Sequence, residues 1–317
     1  MSKKTAAEKI GLFFLAALAV GAAAVFVGPV AHPDAAILLK IRLPRVLAGL
    51  LAGASLAGAG ALMQGVLRNP LADPYILGTS SGAALGAALA LLAGAGYGSP
   101  LFYVLAACGA FAATAASYLL ARTDNRTPAV NLLLSGVIVS AFCGALILLL
   151  FALKRDTAFS ILIFMMGSIT EASRAVLIGA GILFALGMGI SLALSRQLDI
   201  LSLGEEKART LGVNTEALKL LAFAAGAFLC AAAVGVAGTV GFVGLIVPHV
   251  ARLLLGPAHG RLSVGAVLLG AAFLTLMDAA ARTIAAPAEI PVGVLTSVCG
   301  APFFLWLLRK SKTEYKS

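Results

Sequence analysis

Charge is what this sequence has least of. Of its 317 residues only 36 are charged, 23 basic and 13 acidic, against 61% apolar and a mean hydropathy of +1.04. A soluble domain carries roughly a quarter charged residues, so a cytosolic enzyme, a disordered chain and a nucleic-acid reader are all excluded. The net charge of +10 says little about an anionic partner, because membrane proteins collect Lys and Arg in cytoplasmic loops for topological reasons. Cysteine is sparse too. Cys108, Cys143, Cys230 and Cys299 lie in apolar stretches with no Cys-x-x-Cys pair, so neither a disulfide nor a metal site is expected. The three histidines, His32, His249 and His259, are placed near loops, and no nucleophile with a base or metal set emerges for an intramembrane hydrolase. No G-x-x-x-x-G-K-[ST] phosphate loop occurs, so ATP, if it drives this protein, is bound with its magnesium by another subunit. No cofactor is expected in the chain itself.

What is abundant is long uncharged sequence. A span needs about 20 apolar residues to cross about 30 Å of hydrocarbon. The uncharged runs are 10–33, 46–67, 75–121, 127–153, 175–195, 220–251, 262–277 and 290–308. The first follows Lys3, Lys4 and Lys9 and has 24 residues, beyond the roughly 7 to 15 of a signal-peptide core, so a retained span is expected. The 47-residue run 75–121 holds two spans, divided where Gly94, Gly96, Gly98 and Pro100 cluster. The 32-residue run 220–251 breaks where Gly235, Gly238, Gly241 and Gly244 recur. Both termini are basic, so both are expected in the cytoplasm and the span number is even, giving ten. Lys and Arg then total 16 inside against 7 outside, or 9 against 7 without the termini that set the orientation. The expectation is an all-α, polytopic membrane protein of ten transmembrane helices, one domain over 1–317. The segment 157–170 is too short to cross and is expected as a short helix on the outer side. Pairs four apart, Gly49 with Gly53 and Gly82 with Gly86, suit close helix packing.

Ionisable residues at the membrane decide between a transporter, a channel and an enzyme. Asp278 is the one mid-membrane carboxylate suited to an ion-coupled carrier, but it precedes Arg282 by four residues on one helix, where the two can pair. On the outer side Lys40, Arg42 and Arg45 stand against the usual bias, with Pro44 suited to a first helical turn. A cation at a helix N-terminus is mildly unfavourable, so Arg42 and Arg45 suggest lipid headgroup contact or a dock for an acidic protein surface, with Arg282 contributing. On the inner side the segment 203–213 reads as a short helix. Glu205 and Glu206 lie in its first turn, Lys207 and Arg209 follow with Ala208 between, and Leu211 and Gly212 end it. Asn69, Pro70 and Leu71, in Arg68-Asn69-Pro70-Leu71-Ala72-Asp73-Pro74, form a rigid cytoplasmic turn at the inner mouth of any central pathway.

At these residues the chain resembles the FecCD-type permease subunits of iron-siderophore, haem and cobalamin ABC importers. The resemblance rests on Arg42-Leu43-Pro44-Arg45, Met63-Gln64, Asn69 to Pro74, Leu77-Gly78, Leu203-Gly204-Glu205 to Leu211-Gly212, Gly241 to His249, Glu289-Ile290-Pro291-Val292-Gly293 and Gly300-Ala301-Pro302, in that order over nearly the whole chain. It implies a cobalamin-permease-like bundle in a bacterial inner membrane. The implied partners are a second permease copy, two cytoplasmic ATPase subunits and a periplasmic or lipid-anchored substrate-binding protein, with lipid around them and no nucleic acid. Arg42, Arg45 and Arg282 would receive glutamates of the binding protein, the helix from Gly204 to Gly212 would couple to the ATPase, and Asn69, Pro70 and Leu71 would stand near an inner gate. The implied pathway runs along the dimer axis between span five, span ten and the 157–170 segment, with spans two to five and seven to ten as inverted repeats. The expected function is ATP-driven import of an iron chelate, ferric siderophore first on family frequency, with haem or cobalamin as other cargoes. The alternative is an ion-coupled carrier using Asp278.

Overall fold

The structure is a computed structural model that describes residues 3–29, 33–96, 99–123, 126–153, 158–169 and 173–314. The described chain is almost entirely helical. In chain order the helices are α1 (Lys3–Phe26), α2 (Leu43–Val66), α3 (Thr79–Leu92), α4 (Pro100–Ala121), α5 (Ala129–Leu153), α6 (Ala158–Met166), α7 (Arg174–Ala193), α8 (Ser195–Leu201), α9 (Glu205–Thr210), α10 (Thr215–Ala237), α11 (Val243–Leu255), α12 (His259–Ala281) and α13 (Val292–Glu314). Seven of the described helices are long and apolar enough to cross a membrane, and α3, α11 and α13 contain shorter apolar helices. Backbone N–H and C=O groups find no partner in hydrocarbon, so each uncharged run satisfies its own by forming a helix.

The two helices richest in small residues, α2 and α10, are buried along most of their length and form the centre. α2 packs on α10, α11 and α12, and α3 on α4. Close crossings explain the glycines. A Cβ on Gly53 would lie 2.1 Å from the carbonyl oxygen of Gly270 in α12, and one on Gly82 2.4 Å from that of Gly109 in α4, so both small-residue pairs serve packing within the bundle. By contrast α1, α4, α5 and α7 carry exposed Leu, Ile, Val and Phe along one side, the surface a lipid-immersed chain turns to acyl tails.

Four expectations change in detail. The second span starts earlier than Pro44: a π-helical turn, Ile37–Arg42, runs directly into α2, so Arg42 and Arg45 lie within one helix of 30 residues rather than at its beginning. Arg45 therefore does not face a bare helix N-terminus. The segment 203–213 holds a six-residue helix, α9, bounded by Gly204 (φ 114°) and Gly212 (φ 83°), with a separate helix α8 before it that the sequence did not suggest. The short helix in 157–170 is α6, of nine residues; Thr157 and Thr170, which bounded the expectation, lie outside the described residues. His249 stands in the middle of α11 and His259 opens α12, while His32 lies outside the described residues.

The expected break in the 32-residue run falls between α10 and α11, at Gly238 to Phe242. Its polar backbone is satisfied by the end of α6. Thr239 N donates to Phe164 O (3.1 Å), Thr239 Oγ1 to Met165 O (2.7 Å) and Ser168 N to Ala237 O (2.9 Å). This is how irregular backbone survives at membrane depth. Phe242 sits at φ 69°, rare for an aromatic residue, and its ring fills the notch left by Gly300 in α13, where a Cβ would come within 2.4 Å.

Candidate functional site

Three groups of residues carry the functional expectations, and the bundle places them at its two ends and along one side. At the first end, the start of α2 meets the ends of α1 and α12. Asp278, buried near the C-terminal end of α12, accepts from Arg45 Nε and Nη2 (3.1 and 3.0 Å), and its Oδ2 lies 3.1 Å from Arg282 Nε. Arg45 Nη1 reaches Glu289, 2.8 Å from Oε2. The expected i,i+4 pair of Asp278 and Arg282 is therefore present, with Arg45 as a third member. Arg42 turns the other way and donates to Phe26 O (2.8 Å) and Val25 O (3.4 Å), while Arg282 Nη2 donates to Ala24 O (3.2 Å). Both thus put positive charge on the last carbonyls of α1, the favourable end of its dipole. The sequence placed the three arginines as surface contacts. In the structure Arg42 and Arg282 are buried, and the most exposed member of the cluster is Glu289, whose side chain is 44% accessible.

At the opposite end the turn after α2 meets α8, α9 and the start of α10. Asn69 Oδ1 accepts from Leu71 N (2.9 Å), an Asx-type turn, and Asn69 N donates to Gln64 O (3.2 Å). Pro70 is exposed, and Asn69 and Leu71 are half-buried. The turn lies beside α9: a Cβ on Gly204 would come 3.9 Å from Arg68 Nη1. In α9 Ala208 is buried, while Leu203 and Leu211 on its flanks are exposed apolar residues. Glu205 pairs with Arg209 (2.6 Å) and with Lys219 of α10 (3.0 Å). The sequence missed Lys219 because an isolated lysine at the edge of a hydrophobic run looks like a solvated loop end. It also missed Asp199 of α8, whose Oδ1 accepts from His259 N (2.8 Å) and lies 2.7 Å from His259 Nδ1, tying α8 to the start of α12.

Asp73 closes the same turn. Its Oδ1 accepts from Tyr75 N (2.8 Å), capping the short 3-10 helix Pro74–Leu77. Burial pushes its carboxyl up to about 6 from the ordinary 3.8, against the opposing hydrogen bond from Tyr75. A folded pKa above the unfolded one gives stability that is complete below the unfolded value and is lost as pH rises through the folded value. Asp73→Asn, which keeps an oxygen for the cap, is therefore expected to raise the thermal midpoint at about pH 7.5, with the difference from wild type shrinking below about pH 6. Differential scanning fluorimetry in detergent at several pH values measures it.

Along the side of the bundle a cleft of about 410 Å³ opens between the break, α6 and α13, lined among others by Tyr75, Met165, Met166, Thr239 and Ser297. Its walls are mixed, with thioethers and aliphatic carbons beside hydroxyls. α6 and α13 supply residues to this cleft, and α5 supplies none of those lining it. Among the described residues no cluster of three or more His, Cys, Asp or Glu side chains could hold a metal ion.

Known proteins match this arrangement over most of its length. The pattern of the FecCD transport family fits residues 10–310. The hemin transport system permease protein HmuU of Yersinia pestis is 41% identical over 280 residues, covering 87% of this chain and 84% of that protein. The cobalamin import system permease protein BtuC of Halobacterium salinarum is 42% identical over 274 residues, 85% of this chain and 72% of that one. Among solved structures, an inward-facing metal-chelate type ABC transporter superposes with a TM-score of 0.87 at 32% identity, covering 96% of this chain and 99% of that one.

Proposed function

Because the chain belongs to the FecCD transport family, whose members here include ABC-importer permeases, we propose that it is the membrane gate for an iron chelate, ferric siderophore before haem or cobalamin. It works in a bacterial inner membrane with ten spans and both termini in the cytoplasm. A second copy completes the pathway, two ATPase subunits power it, and a binding protein delivers the cargo. The observation that carries this reading is the pairing of two ends: a charged knot at one and a short helix with exposed Leu203 and Leu211 at the other, joined by a bundle without a phosphate loop. ATP turnover would push on α9, and the turn at Asn69, Pro70 and Leu71 beside it would form part of the inner gate. The mixed lining of the cleft suits a bulky chelate, which needs passage rather than ligation.

The ion-coupled alternative loses its centre, since both oxygens of Asp278 are engaged by arginines. Proteoliposomes decide between the two. Uptake of a ferric siderophore is expected only with ATP, the ATPase subunits and the loaded binding protein present. Uphill uptake by the chain alone, driven by a proton or sodium gradient, overturns the reading.

For docking, Arg45 is the arginine through which an incoming carboxylate would compete with Glu289. Glu289→Gln is expected to strengthen binding of the delivery protein by roughly threefold, the scale of an exposed charge pair, and Arg45→Gln to weaken it. Surface binding measurements in which neither variant moves the affinity remove Arg45 from the docking site.

A further inference from the structure

Lys219 is the buried cation that the functional reading leaves without a task. It sits in the second turn of α10 with its side chain 8% accessible. Its ammonium donates to three oxygens, each at 3.0 Å: Thr127 O, Glu205 Oε1 and Glu216 Oε1. These belong to three different places in the fold. Glu205 opens α9, Glu216 lies in the first turn of α10, and Thr127 stands two residues ahead of α5. Thr127 is held a second time, because its N–H (3.0 Å) and its hydroxyl both donate to Glu216 Oε2. Arg209 closes the group, donating to Glu205 Oε1 (2.6 Å) and to Thr215 Oγ1 (3.0 Å). Two cations and two carboxylates make a neutral junction held by these hydrogen bonds.

Stability alone does not call for a lysine here. A buried ion pair replaced by apolar groups of similar volume is often neutral or better, and position 219 borders the apolar cluster of Leu218, Ala222 and Phe223. What an apolar side chain would not supply is a directed link. The lysine ties one carboxylate of α9 to a backbone carbonyl at the head of α5, so a displacement of α9 cannot leave α5 and α10 behind while the three bonds hold.

We propose that Lys219 is the positioning residue that carries movement of α9 to the cytoplasmic ends of α5 and α10. The inference rests on the reading that an ATPase subunit pushes α9. In the assembled complex with ATPase subunits and binding protein, Lys219→Met is expected to keep ATPase attachment and basal hydrolysis. Cargo moved per ATP should fall about tenfold, within the usual range of coupling between sites, and stimulation of hydrolysis by the loaded binding protein should be lost. Lys219→Arg, which retains charge and several donors, should restore much of the ratio. A merely structural role would lower complex yield and leave cargo per ATP unchanged in what assembles. Glu216→Gln, nearly isosteric, serves if the methionine variant fails to assemble and should lower the same ratio by about threefold. A wild-type ratio in a folded complex of either variant overturns the inference. Failure of the wild-type chain to capture ATPase subunits instead overturns the functional reading, and it is seen before any variant is made.

Discussion

Gly60→Ala is expected to leave almost no folded protein. A Cβ at position 60 would lie 1.8 Å from the carbonyl oxygen of Gly244 and 2.5 Å from its carbon, so backbone rather than a flexible side chain would have to move. α11 has nowhere to retreat. Its first turn is held by Gln64 Nε2, which donates to Leu245 O (3.1 Å), and Gly244 itself lies against Pro74, where a Cβ would meet Cδ at 2.6 Å. Overpacking usually costs 1–3 kcal/mol, and with Gly244 backbone as the wall and the rigid Pro74 ring behind it the cost here is expected at about 4 kcal/mol or more. Gly189→Ala in α7 is the control: nothing lies within 4 Å of its Cβ position, and the alanine should be neutral or stabilising by up to about 1 kcal/mol. Thermal midpoints and monodisperse yields in detergent compare the two.

Asp278→Ala is expected to have an effect of similar size from the opposite cause. It removes the carboxylate shared by Arg45 and Arg282, leaving buried Arg282 without its counter-charge and Arg45 with Glu289 alone, at about 3–5 kcal/mol. Asp278→Asn should cost less, since an amide oxygen still accepts. The double change Asp278→Leu with Arg282→Met should lose less than the sum of its parts, because it removes charges together. A thermal-stability cycle measures this coupling. The folded fraction of Asp278→Asn should still import cargo with ATP; a fully folded variant without transport would return Asp278 to the centre of the mechanism.

Much of the fold was legible because lipid leaves the backbone few choices. An uncharged run of about 20 residues has to become a helix, so α1, α4, α5, α7 and α12 fall where the runs lie. The glycine cluster marked the break before α11 because glycines every third residue weaken a helix. Partners across the chain were not legible. Arg42, Arg45 and Arg282 look alike in sequence, yet the first caps α1, the second bridges to Glu289 and the third pairs within α12; separations of up to 258 residues leave no local pattern. The π-helical turn before Pro44 was hidden for a related reason. Proline looks like a helix start, and a helix already running through Ile37 has no sequence mark of its own. Lys219 and Asp199 were missed because partners brought up by the fold, rather than local composition, give them Thr127, Glu205 and His259 as contacts.

The capping of α1 also bears on how the protein is made. Its final carbonyls at Ala24, Val25 and Phe26 take their donors from Arg42, which emerges soon after, and from Arg282, which lies 258 residues beyond Ala24. During synthesis α1 therefore keeps an unfinished end until the close of α12 has been made. A nascent chain stalled before residue 282 would expose that defect to membrane proteases, whatever the state of the helices between.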